Sequence, residues 1–145
     1  MSFIDAIVTA GLTTALGLFA FVLGQFALKL VVEPIQEQKR VVGNVAHALT
    51  YYRNVGRSNP AKPDPERVGE ARRVYRDLAA ALRTNLRVVP WYEVFVRLQF
   101  VLPREQVRQA ATALIGLANT VQKEPHADDV AGYRWTVEKN LGIDR

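Results

Sequence analysis

The sequence predicts an all-α protein: one N-terminal transmembrane helix followed by a small bundle of four or five helices. Three observations predict it. Residues Ala6 to Leu28 form a run of 23 residues without a charge, between Asp5 and Lys29. At about 1.5 Å of rise per residue this run reaches roughly 35 Å, enough for a hydrocarbon core of about 30 Å. Beyond it, apolar residues recur at helical spacing in several separate segments. Prolines and short polar stretches then punctuate those segments at the positions where helices start and stop.

The charge distribution follows the same division. All 19 basic residues and 13 of the 14 acids lie after the run, which leaves the remainder near +6. The N-terminal MSFID carries no Lys or Arg, and the apolar run enters Lys29 without a small-x-small exit. These features predict an uncleaved anchor rather than a signal peptide. Lys29, Lys39 and Arg40 follow the span and no basic residue precedes it, so the positive-inside rule predicts a short N-terminus outside and a cytoplasmic C-terminal domain. The expected division is an anchor over 1–32 and a helical domain over 33–145.

Within the span Ala10, Thr13, Gly17, Ala20 and Gly24 fall on one stripe, with Gln25 beside its cytoplasmic end. Small residues in such a stripe let backbones approach, which is how helices associate in lipid, and Gln25 is placed to hydrogen-bond across such an interface. The stripe marks the expected membrane-helix packing face, toward a second copy or another span. Pro34 restricts Glu33 and lacks an N–H, so the membrane helix is expected to end or kink there, with a new helix starting at Pro34. Ile35, Gln38, Val42, Val45, Ala46, Leu49 and Tyr52 share one face of that helix. Arg40, Asn44, His47 and Tyr51 lie elsewhere, and Gly56 is placed to end it.

Residues 56–65, GRSNPAKPDP, read as a loop. Asp64, Pro65 and Glu66 supply an N-cap, a first-turn proline and a first-turn acid. The helix they open runs to about Val89 before Pro90. Its core face is Val68, Ala71, Tyr75, Leu78, Ala79, Leu82, Leu86 and Val89. Arg72, Arg76, Arg83 and Arg87 form a stripe beside that face. The segment 91–100, WYEVFVRLQF, fits a short helix or a strand, because periodicity does not separate the two at this length. A helical angle would put Trp91, Phe95 and Leu98 on one side. Pro103 opens a further helix whose Val107, Ala110, Ala111, Leu114, Leu117, Ala118 and Val121 face inward. Gly116 and Thr112 in it imply a close neighbour. After Pro125 a last short helix or a packed tail is expected, with Tyr133, Val137 and Leu141 inward.

The run EPIQEQKRVVGNVAHALTYYRN resembles a segment of small single-span bacterial membrane proteins, with a likeness covering chiefly residues 20 to 55. The resemblance implies an anchored helical domain, and implies no activity and no functional residue; a bacterial inner (cytoplasmic) membrane is the default expectation for the anchor.

Motifs for chemistry are sparse. No cysteine is present, which excludes disulfides and thiolate zinc sites. Only Ser2 and Ser58 are serines, neither in G-x-S-x-G, and no phosphate-cradling glycine loop occurs. His126, Asp128 and Asp129 read as a helix start rather than a metal site. His47 has no acid one turn away and reads as a surface residue. Neither a catalytic residue nor a cofactor is therefore expected. Between Arg67 and Arg108 nine arginines face four acids. Next to a bilayer, that excess suits anionic lipid or an acidic protein partner through Arg72, Arg76, Arg83 and Arg87 better than nucleic acid, for which no named motif exists. The expected function is a non-enzymatic membrane-anchored scaffold or accessory subunit that self-associates or binds a membrane partner. The alternatives are an oligomeric pore lined by Thr9, Thr13, Gly17 and Gln25, or a sensor of anionic lipid through the arginine stripe.

Overall fold

A computed structural model describes residues 3–55, 64–121 and 127–143. Among them every regular element is helical. The elements are α1 (Phe3–Ala27), a π-helical turn (Leu28–Val32), α2 (Glu33–Tyr51), α3 (Pro65–Val88), α4 (Tyr92–Arg97), α5 (Arg104–Thr120) and α6 (Ala127–Leu141). The stretch 91–100, open between helix and strand in the sequence, thus contains the short helix α4.

The chain does not stop at Pro34. Helix runs without a break from α1 through the π turn into α2, where Glu33 N–H bonds to the carbonyl of Leu28, five residues back. A proline inside a helix removes one donor and crowds the carbonyl four residues earlier, and the wider π turn just before Pro34 is where the ladder absorbs that fault. Every side chain described from 4 to 30 is exposed, apolar and charged alike. One helix near the N-terminus is therefore long and apolar enough to cross a membrane.

The other half of the same helix packs. Val41, Val45, Ala48, Leu49 and Tyr52 enter the core, with Val31, Ile35 and Val42 against its edge. α3 brings Ala71, Tyr75, Ala79, Leu82 and Leu86, as its periodicity predicts. Asp64 caps it by accepting from Glu66 N–H at 3.1 Å. α5 lies between α3 and α6 and buries seven residues, four of them alanine. α6 closes the bundle with Val137 and Leu141. It ends in a Schellman turn: Gly142 takes φ +65°, which only glycine adopts freely, and Ile143 N–H bonds back to the Glu138 carbonyl at 3.1 Å. Gly56, the expected stop for α2, lies outside the described residues; α2 ends at Tyr51.

Tyr133 departs from expectation. It is exposed rather than inward, with its ring laid on Gly116 of α5. A Cβ at Gly116 would stand 2.6–2.8 Å from three ring carbons. Gly116→Ala should therefore destabilise the bundle by about 1–2 kcal/mol, since the ring must leave α5. Gly69→Ala in α3, where a Cβ meets nothing, should raise stability by about 0.5–1 kcal/mol. Urea unfolding of the two variants checks the opposite signs.

Burial also raises the hydroxyl pKa of Tyr75, to about 12, against a smaller lowering by Arg134. Below pH 10 the hydroxyl is protonated in both folded and unfolded chains and its contribution is constant. Between pH 10 and 12 the unfolded chain loses the proton first, so stability falls as pH rises, by about 2–3 kcal/mol at the top of that window. Urea midpoints between pH 9 and 11.5 should show this fall, and Tyr75→Phe should flatten it.

Candidate functional site

Three surfaces carry the residues singled out by the sequence. The first is α1. Ala10, Thr13, Gly17, Ala20, Gly24 and Gln25 are all exposed, and nothing lies within 4 Å of a Cβ built at Gly17 or Gly24. The hydroxyl of Thr13 donates to the Thr9 carbonyl at 2.8 Å, and that of Thr9 to the Asp5 carbonyl at 2.7 Å. Both donors are thereby satisfied within the helix, which suits an environment without water.

The second surface is the seam between α3 and α5. Arg76 donates to Asn119 Oδ1 at 3.1 Å, and Arg83 reaches Thr112 Oγ1 at 3.5 Å, so the two antiparallel helices bring these arginines onto one groove. The groove has a volume of about 570 Å³, and Ala80 and Ile115 line it together with Arg76, Arg83, Thr84 and Arg87. No acid lines it. The four ion pairs among the described residues use Arg40, Arg73, Arg104 and Arg134, not these three. Arg72 is set apart: it is half-buried, and its Nε has no hydrogen-bond partner among the described residues.

The third surface is the end of the bundle where α2 begins. Here a polar knot joins four elements. Tyr92 Oη donates to the Leu102 carbonyl at 2.5 Å and accepts from Gln38 Nε2 at 3.0 Å. The Arg104 guanidinium stacks over the Tyr92 ring at 4.4 Å, donates to the Leu86 carbonyl at 2.9 Å and pairs with Glu93 at 3.1 Å. Burial raises the Tyr92 pKa, against lowering by Gln38 and Arg104. Beside the knot a cavity of about 740 Å³ opens between α2, the chain after α4 and the end of α6. Gln38 lines it at 2% exposure, with Oε1 unpartnered.

Periodicity placed Gln38 on the buried face of α2, but its bond to Tyr92 and the role of Arg104 had no signal in the sequence. Tyr92→Phe should cost about 2–3 kcal/mol in urea unfolding, because it strands Gln38 Nε2 and the Leu102 carbonyl. Gln38→Met should cost close to nothing, since it removes an unpaired Oε1 and leaves the Tyr92–Leu102 bond intact.

α4 corrects the expected grouping of Trp91, Phe95 and Leu98. Tyr92 and Phe95 are buried, whereas Trp91, Val94 and Leu98 are exposed. The reason lies in the backbone. Trp91 takes φ 48° and ψ 38°, and Gln99 takes φ 60°. Left-handed residues at both ends confine the helix to Tyr92–Arg97, and Trp91 stands outside it. Such a conformation costs a bulky L-residue about 1–2 kcal/mol.

His47 is exposed and stacks on Tyr51 at 5.9 Å. Asp128 and Asp129 sit in the first turn of α6, and His126 lies outside the described residues. Among the described residues no three His, Asp or Glu side chains come together.

Fold and surfaces together define an all-α protein with one apolar helix continuous with a helical bundle. No family model matches the chain, and no curated protein or solved structure matches it.

Proposed function

We propose that the protein is a non-enzymatic, single-pass membrane-anchored scaffold or accessory subunit. In this reading residues 1–32 anchor it, residues 33–145 form a cytoplasmic domain, and the membrane is a bacterial inner membrane with the N-terminus outside. The observation that supports it is the unbroken helix from Phe3 to Tyr51, bare and apolar in its first half and built into the core in its second. A cleavable leader has no reason to share a rigid helix with core residues such as Val41 and Val45, whereas an anchor that sets the position of its domain does.

The lipid bilayer is then the first partner. The stripe from Ala10 to Gln25 offers the second contact, with another copy or another membrane protein. Chemical crosslinking and mass measurement of the full chain in detergent and in nanodiscs test this. A defined oligomer or a copurifying membrane protein is expected, and a strict monomer in both media with nothing copurifying would sink the reading.

The arginine groove favours a second role for the same domain, the reading of anionic lipid or an acidic protein surface by Arg76, Arg83 and Arg87, with Arg72 at the rim of the stripe. Native mass spectrometry of the purified chain should find retained phosphatidylglycerol, and reversing these charges to Glu should remove it. Nucleic acid is a weaker candidate, because tethered headgroups compete for the same cations at far higher local concentration.

A further inference from the structure

The antiparallel path of the bundle decides which of its ends meets the membrane. α2 leaves the span, α3 returns along it, and the contact of Tyr52 with Tyr75 at one end and of Gln38 with Tyr92 at the other fixes the register. The chain from the end of α3 through α4 therefore lies beside the start of α2. Val31 and Ile35 already pack against the core. They follow Leu28, the last residue of the uncharged run, by three and seven positions, roughly 5 and 10 Å of helix. The headgroup layer on each side of a bilayer is about 5–7 Å deep. This end of the bundle thus stands at headgroup level rather than on a stalk above it.

The same end holds most of the exposed apolar surface of the domain. Eight large hydrophobic side chains after Val32 are exposed among the described residues, and five of them, Val88, Trp91, Val94, Leu98 and Phe100, come from one stretch around α4. Trp91 is 77% exposed while held in a left-handed backbone conformation. The turn at Trp91, whose carbonyl accepts Val94 N–H at 2.9 Å, sends Tyr92 inward and the indole out to solvent, and backbone strain of this kind clusters at functional contacts. Two exposed cations flank the stretch, Arg87 beside Val88 and Arg97 beside Leu98, neither of them in an ion pair among the described residues. Indole and aliphatic groups flanked by arginine match the two layers of an anionic interface, rings at the headgroups and cations at the phosphates.

We infer that α4 and its flanks form a second membrane contact, a monotopic dock in which Trp91, Val94, Leu98 and Phe100 enter the interface of the bilayer that α1 crosses. This rests on the anchored reading above. The dock fixes the domain at two points, the α1 exit and α4, so that the arginine groove is held at a set angle to the headgroups. A second copy of the chain is the competing occupant. The bilayer is favoured because the tether keeps it within reach of every molecule.

The test uses the full chain in vesicles of 70% phosphatidylcholine and 30% phosphatidylglycerol, with acyl chains brominated near the headgroup. In a Trp135→Phe variant, Trp91 is the remaining tryptophan. Its emission should fall at least twofold on bromination, whereas in Trp91→Phe the remaining Trp135, on α6, should lose less than a tenth. Val94→Ser with Leu98→Ser, both surface changes, should halve the quenching of Trp91. Equal quenching of Trp91 and Trp135 in protein that resists carbonate extraction would overturn the dock and leave the anchor standing. Protein released by carbonate would overturn both. Unquenched but blue-shifted Trp91 emission that depends on the protein-to-lipid ratio would assign the patch to a second copy and overturn the bilayer as occupant.

Discussion

Leu16→Arg is expected to release the protein from membranes. Leu16 lies near the middle of the uncharged run and is exposed, with no carboxylate on its stretch of helix to accept a guanidinium. Replacing a leucine with arginine at the centre of a span costs about 3–4 kcal/mol of insertion free energy. A loss of that size shifts the population by about two orders of magnitude. Carbonate extraction and flotation of the full chain measure it: wild type stays with the lipid and the variant moves to the soluble fraction. Leu16→Ala, which keeps the span apolar, should remain with the lipid. Retention of Leu16→Arg in the pellet after carbonate would count against the span.

Leu114→Ala is expected to be the most damaging truncation in the bundle. α5 packs against both α3 and α6, and its buried face is mostly alanine: Ala110, Ala111, Ala113 and Ala118 bring the backbones close but supply little volume. Leu114, at 0% exposure, together with Val107 and Leu117, fills the space between. Helices held at alanine distance leave few side chains able to move into a vacancy. The substitution should cost about 3–5 kcal/mol, the upper part of the range for a buried leucine. Against a total of about 5–15 kcal/mol for a domain of this size, that is a large fraction. The urea midpoint of the variant in detergent should fall accordingly, while α1, exposed throughout, should keep its helical signal.

Much of the architecture was legible because it rests on local rules. Asp64, Pro65 and Glu66 opened α3, since an N-cap and a fixed proline φ act within one turn. The face from Ala71 to Leu86 followed from a 3.6-residue period. Pro90 and Pro103 bounded their helices for the same local reason. Where the reading went astray, a neighbour or a backbone dihedral had intervened. Tyr133 has the spacing of an inward residue, yet Gly116 offers its ring a flat seat on the outside of α5. Trp91 and Leu98 share a helical angle with Phe95, yet the left-handed turn at Trp91 breaks the period one residue before α4 begins. Pro34 signals a break, yet a π turn carries the helix past it.

The arginine stripe divides along the same line. One period on α3 put Arg72, Arg76, Arg83 and Arg87 together, which needs no knowledge of the fold. That Arg76, Arg83 and Arg87 line a groove on α5 while Arg72 is half-buried depends on how the two helices pair.

By itself the sequence determined the helical class, the apolar span, its junction with a basic domain and the inward faces of α2, α3 and α5, because charge, hydropathy and helical period are properties of consecutive residues. Only the tertiary structure decided that α4 lies at the foot of α2, that Gln38, Tyr92 and Arg104 form one knot, and which aromatics of 91–100 stay outside. Those are relations between residues tens of positions apart, set by the antiparallel return of α3 and by dihedral angles that no periodicity encodes.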